Sequence, residues 1–187
     1  MDGNWYRVEP FRWILITDAS STQSGYISTD TMAVMESVVY VGKYSDTALS
    51  LGNGYVSANS VSGSDVNYFY NNFLLNERLY LTEFTAESSA FSSSSITTSE
   101  TSTSYIFLSS NEEINEAKGN YETEFSDFVK DYLDMIGQND LYYVRDLGSN
   151  LNTVSSHTEG GGTVNSKPTD FLGMRFTIQV SEYVCLS

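Results

Sequence analysis

Cysteine and histidine occur once each in this 187-residue chain, as Cys185 and His157. A lone cysteine forms no intrachain disulfide, and one cysteine with one histidine cannot assemble a structural zinc site. No Gly-x-Ser-x-Gly elbow accompanies His157, so a serine or cysteine hydrolase triad lacks its nucleophile turn. Basic residues are scarce. Nine Lys and Arg stand against 24 Asp and Glu, a formal net charge of −15 that repels a phosphate backbone at long range and argues against nucleic acid as a partner. No run approaches the roughly 18 apolar residues of a membrane span. The opening Met1-Asp2-Gly3-Asn4-Trp5 has neither the basic region nor the hydrophobic segment of an export signal, so the expectation is a chain without membrane insertion. What is abundant is aromatic surface: 14 Tyr and 10 Phe, too many for a disordered acidic tail. Length and composition together predict one globular domain over residues 1–187.

Hydrophobic periodicity places the elements. Residues 5–17 (WYRVEPFRWILIT) read as a strand with Phe11, Trp13 and Leu15 on one side, and Pro10, lacking an amide donor, belongs at an edge or bulge. Residues 32–41 are open between strand, favoured by Val38, Val39 and Val41, and a helix capped by Asp30 or Thr31. The Gly, Asn and Ser of 51–63 read as loop. From Ser64, a natural N-cap, Val66, Phe69, Tyr70, Phe73 and Leu74 form the stripe of an amphipathic helix. The Ser/Thr tract 88–104 reads as a long surface loop, with an O-glycosylated linker as the alternative. Residues 105–108 (YIFL) are a short buried strand, and Ser110 with Glu113 makes a capping box for a helix to about Lys118. Residues 125–136 place Phe125, Phe128, Val129, Tyr132, Leu133 and Ile136 on one helical face, stopped by Gly137. LYYVRDL (141–147) is a strand, and FLGMRFTIQV (171–180) closes the chain with Met174, Phe176, Ile178 and Val180 alternating. Without regular βαβ alternation the class is α+β.

The order of these segments resembles an uncharacterised bacterial and phage domain family. YIFLSSNEEI (105–114) is similar to its Phe-Leu-Leu-Ser segment before a Glu-Glu helix, and SDFVKDYLDMIG (126–137) to its Thr-Asp-Tyr-Ala helix. YYVRDLGSN (142–150) resembles its aromatic pair leading into Leu-Arg-Ser-Pro-Gly, with Tyr142 and Tyr143 where tryptophans are usual. GGGTVN (160–165) follows in order, and LGMRFTIQV (172–180) resembles the closing Gly-Val-Arg-Pro-Ala strand, with Phe176 in place of the proline. EPFRWILI (9–16) looks like the opening strand and NNFLLNE (71–77) like the Leu-Asn-x-x-Phe region. That family is related in fold to C-type-lectin-like domains, including sulfatase-modifying-factor proteins and the variable proteins of diversity-generating retroelements. The resemblance implies a C-type-lectin-like fold: a twisted antiparallel sheet, two to three helices, and long surface loops on one face.

Three functional classes follow. The first is a non-enzymatic ligand- or receptor-binding module, with Asn150, Asn152, His157, Glu159, Asn165, Lys167 and Asp170 on a polar recognition loop spanning 148–172. Its partner would be a protein or carbohydrate on a cell or host surface, which places the domain extracellularly, on a cell surface or on a virion; the sharper form is a retroelement-diversified binder. The second is a structural subunit of a virion or surface layer, and the third a carbohydrate-active enzyme using two carboxylates. No catalytic residue, metal ligand or cofactor is singled out. The sulfatase-modifying chemistry needs paired cysteines, and the Glu-Pro-Asn or Gln-Pro-Asp calcium loops of sugar-binding lectins are absent from the sequence. Trp13, Arg145 and Arg175 are expected to be structural, a buried guanidinium being tolerated only when paired. The acids of 112–140, among them Glu112, Glu113, Glu116, Asp127 and Asp131, read as a solvated helical face.

Overall fold

A computed structural model describes residues 11–16, 30–45, 64–73, 78–87, 91–93, 96–98, 101–118, 124–149 and 153–181. Pro10, the 51–63 stretch, Leu74, Glu122, Asn150, Asn152 and Cys185 lie outside the described residues. Within them the class is α+β, with three helices and mostly antiparallel strands.

Two five-stranded sheets organise the chain. The first runs β1 (Trp13–Ile16), β2 (Asp30–Met35), β16 (Phe176–Ser181) and β10 (Ile106–Leu108), and the short β5 (Leu81–Thr82) pairs farther along β16. Every pairing in it is antiparallel. The second runs β14 (Thr163–Ser166), β13 (Val154–Thr158), β12 (Leu141–Leu147), β15 (Leu172–Met174) and β4 (Tyr40–Gly42), and only its β12–β15 pair is parallel. The chain passes between the sheets from β2 to β4 and again from β15 to β16. At the first passage β3 (Ser37–Val38) pairs in parallel with β11 (Glu124–Phe125).

Alternation along the strands produces three buried layers, because successive side chains point to opposite faces. Ala33, Met35, Ile106, Leu108, Phe176 and Ile178 of the first sheet join Tyr143, Val154, Leu172 and Met174 of the second in one shared core. Helix α1 (Ser64–Asn71) closes that core with Val66 and Phe69, the Phe69 ring stacking on Phe176 at 4.2 Å. The other face of the first sheet packs Met32, Val34 and Phe107 against Phe84 and against Ala117 of α2 (Asn111–Lys118). The other face of the second packs Tyr142 and Val144 against Ile114 and against Val129 and Leu133 of α3 (Asp127–Met135). Each large apolar side chain buried this way contributes roughly 1.5–3 kcal/mol.

The capping box forms as its spacing predicts: Ser110 N–H donates to Glu113 Oε2 (2.9 Å) and Glu113 N–H to Ser110 Oγ (3.1 Å). Helix α3 starts at the N-cap Ser126 and ends in two bonds of a Schellman turn, Gly137 N–H to Asp134 O and Gln138 N–H to Leu133 O, with Gly137 at φ 71°. The ambiguous run 32–41 is strand throughout its regular parts, as its β-branched residues favour.

Three readings need correction. The Ser/Thr tract is not simply a loop: β6 (Phe84–Glu87) pairs with β9 (Thr101–Ser104), and β7 (Phe91–Ser93) with β8 (Ile96–Thr98). The first of these ladders is anchored by buried Phe84 and Ala86 and by a Thr85–Thr103 hydroxyl bond of 2.7 Å, so the threonines need bury little themselves. The polar segment 148–172 is largely the β13–β14 hairpin. The stripe on α3 is wider than the surface that covers it: Val129 and Leu133 are buried, while Phe128 is exposed.

Candidate recognition surface

Polar chemistry collects in two places, one sealed and one open. The sealed one lies where the sheets meet. Arg145 on β12 donates through Nη1 to Leu108 O (2.8 Å) and to Glu113 Oε2 (3.1 Å), and through Nη2 to Glu113 Oε1. Thr177 Oγ1 donates to Glu113 Oε2 (2.6 Å) and shares a hydrogen bond with the Ser109 hydroxyl (2.9 Å). Burial alone would raise the Glu113 carboxyl, but the Arg145 charge and the bonds from Arg145, Thr177 and the Ser110 N–H outweigh it and hold Glu113 below the ordinary carboxylate value. Arg175 sits at the β15–β16 passage and its Nε donates to Met35 O (2.6 Å) at the end of β2, so one guanidinium ties together both passages between the sheets. Burial pushes its pKa down, partly offset by Tyr142.

Helix α2 is fastened to the same junction. Asn111 N–H donates to Asp146 Oδ2 (2.6 Å), a carboxylate at the helix N-terminus where the dipole favours it. His157 Nε2 bonds Asn111 Oδ1, and its ring lies 5.7 Å from that of Tyr142. His157 is 3% exposed, so it belongs to the interior beneath α2 and is out of reach of an external ligand. Glu113 likewise leaves the solvated acidic face to which its sequence neighbours assign it: it is 1% exposed.

The open grouping is the β13–β14 hairpin and its flanks. Among the described residues β14 is an edge strand of its sheet, in which Thr163, Val164 and Asn165 are exposed and Ser166 is buried. Register places Thr163 opposite His157 and Asn165 opposite Ser155, on the sheet face that carries α3, and Val164 opposite Ser156 on the core side. Asn165 is held at both ends of its amide: Oδ1 accepts from Ser149 N–H (2.8 Å) and Nδ2 donates to Ser149 Oγ (2.6 Å). Below it the Ser156 and Ser166 hydroxyls meet at 2.6 Å. At the turn, Thr158 N–H donates to Gly162 O and Gly162 N–H to Thr158 Oγ1, both at 2.9 Å. Exposed Glu159 pairs with Lys130 of α3 at 2.9 Å. That hydrogen bond, with the charge of Glu159 and nearby aspartates, raises the Lys130 pKa.

Compared with protein families, with curated proteins and with solved structures, the chain matches none. The chemistry of the surface therefore has to be read from its own residues.

The expected site residues divide. Glu159 and Asn165 stand on the hairpin, on the α3 side. Lys167 and Asp170 belong to the connection into β15, where the Tyr143 hydroxyl bonds the carbonyls of Lys167 and of Asp170 (2.8 Å). Burial pushes the Tyr143 phenol well up, so it acts there as a neutral donor. Next to them Lys43 lies 4.8 Å over the exposed Phe171 ring. Trp13 is half-buried against the shared core, 6.4 Å from Phe73. Sequence reasoning missed Glu113 as the partner of Arg145, Tyr143 as the anchor of the connection, and the Lys43–Phe171 contact. For Glu113 a signal existed, since its capping-box position fixes its direction; for the other two, which depend on tertiary pairing, none did. Among the described residues no three His, Cys, Asp or Glu side chains gather as a metal site, and no helix is long and apolar enough to cross a membrane.

Proposed function

We propose that this domain is a non-enzymatic binding module on a C-type-lectin-like scaffold, with the β13–β14 hairpin and its flanking connections as the recognition surface. One observation carries the reading: β14 offers exposed Thr163, Val164 and Asn165 along an edge strand held in place by side-chain bonds, Asn165 to Ser149, Ser166 to Ser156, and the Val164 carbonyl accepting from Ser156 Oγ at 3.2 Å. A surface ordered before its ligand arrives loses less entropy on binding. The scaffold assignment is supported by the run of motifs quoted above, which fall in chain order on β10 and α2, α3, β12, the hairpin and β15–β16. Both oxygens of Glu113 already accept from Arg145, so this carboxylate is not available to move a proton.

The ligand class in this reading is a protein or carbohydrate on a cell or host surface. The test is to screen the parent domain and an E159A/T163A/N165A/K167A variant on a glycan array and a displayed protein library. Ligands retained by the parent and weakened at least about tenfold in the variant support the reading; the same ligands on both proteins would sink it. In the retroelement-diversified form of the reading, the adjoining genome encodes a reverse transcriptase and a template repeat of the hairpin segment. The alternative, a structural subunit, draws on the open edge of β14, which can template pairing with another copy. Its test is solution size, where a stable monomer at high concentration counts against it.

A further inference from the structure

Helix α3 carries two neighbouring rows of side chains that the fold leaves uncovered. Phe128 is 68% and Met135 73% exposed, Ile136 opens at the C-terminal end, and the half-buried Tyr132 ring lies 6.4 Å from that of Phe128. At 3.6 residues per turn, Phe128, Tyr132 and Met135 fall within about 60° of one another around the axis. Asp127, Asp131 and Asp134, all exposed, form the adjacent row on the solvent side. Lys130, the one basic residue in the helix, is drawn to the opposite flank by Glu159.

We infer that this face of α3 is a docking site for a cationic amphipathic segment of another protein. Apolar side chains of the segment bury against Phe128, Tyr132 and Met135, while its Lys and Arg lie along Asp127, Asp131 and Asp134. An uncovered apolar row of this kind marks an interaction surface, and charge decides the occupant. A second copy would set two acidic rows against each other on molecules that each carry a formal charge of −15, and an anionic lipid surface or nucleic acid is repelled for the same reason. A partner that alternates apolar and basic positions at helical spacing satisfies both rows at once. This inference does not rest on the hairpin reading, because none of its contact residues belongs to the hairpin.

The experiment is fluorescence anisotropy with a labelled Leu/Lys amphipathic helical peptide and its Leu/Glu counterpart. Four proteins are compared: the parent, F128S/M135S, D131N/D134N, and E83Q/E112Q, which removes the same charge from elsewhere on the surface. The expected result is salt-sensitive binding of the Leu/Lys peptide only, weakened at least about tenfold in F128S/M135S and several-fold in D131N/D134N, and unchanged in E83Q/E112Q. Circular dichroism and urea midpoints confirm that the variants fold, as exposed positions allow. Equal affinity for all four proteins would place the peptide elsewhere on the surface, and equal weakening in D131N/D134N and E83Q/E112Q with F128S/M135S unchanged would assign the binding to net charge; either result would overturn the proposal. So would a parent that binds neither peptide, or a parent dimer that F128S/M135S dissolves, which would make a second copy the occupant.

Discussion

The molecule contains a glutamate paired with a basic side chain in two settings. Glu113 and Arg145 meet where the sheets join, with side chains 2% and 0% exposed; Glu159 and Lys130 meet at the hairpin turn, with side chains 49% and 36% exposed. In the first setting the carboxylate collects donors from β12, β16 and the start of α2, so removing it leaves a guanidinium with no water to replace it. In the second, solvent stands ready to take over either charge. Burial therefore separates a pair that specifies the fold from one that is free to serve recognition.

The interior pair should give the largest effect. Glu113→Ala is expected to cost about 3–5 kcal/mol, the range for stranding one partner of a buried ion pair. Against the usual 5–15 kcal/mol of a whole domain, urea denaturation should show a severe loss. Replacing both partners, Glu113→Leu with Arg145→Met, should cost less than Glu113→Ala alone; a larger loss would mean that the polar bonds themselves, and not the stranded charge, dominate. The pair also has a pH signature. The folded Glu113 carboxyl titrates below its ordinary value of 4.5, so below that value the unfolded chain binds more protons than the folded one. This stability is fully present above about pH 4.5 and is lost as pH falls through the lower folded value. Between pH 5 and 3 the urea midpoint of the parent should fall more steeply than that of Glu113→Gln.

A neutral interior site shows whether that loss belongs to charge or to crowding. A Cβ on Gly173 of β15 would lie 2.5 Å from Val38 Cγ1 and 3.1 Å from both Leu141 O and Tyr142 Cβ. Gly173→Ala should therefore cost about 1–3 kcal/mol through overpacking, less than Glu113→Ala and without its acid dependence. Smaller again, Ser110→Ala removes one arm of the capping box and leaves the Arg145 bonds in place, for about 1 kcal/mol in a thermal or urea melt.

The exterior half of the comparison was the less legible in sequence. Signals that act locally came through: the Ser110–Glu113 spacing, the Gly137 stop, the LYYVRDL strand and the alternation of Phe176, Ile178 and Val180 all concern neighbours within a turn or a pleat. Two guanidiniums in aromatic-rich strands also pointed to pairing, although the partner of Arg145 lies in a helix 32 residues away. What stayed hidden depended on register between distant strands. His157 resembles a loop histidine until its pairing with Tyr142 turns it under α2. The Ser/Thr tract looks too polar to order until Phe84 and Ala86 on its partner strand supply the anchor. On α3 the periodicity correctly marks an apolar stripe but cannot say how much of it a neighbour will cover, and Phe128 is the remainder.

The smallest stability effect is expected at the exterior pair, and there the comparison is most exposed to failure. Lys130→Ala and Glu159→Ala should each leave the urea midpoint unchanged within error at pH 7, because water replaces the lost partner and exposed pairs of this length contribute little. A clear drop in either variant would mean that the hairpin turn is held to α3 by this contact, and the hairpin would then belong with the structural half of the molecule. Unchanged melts with altered capture of hairpin ligands would separate the two roles, since only a group dispensable to the fold can be varied freely for recognition.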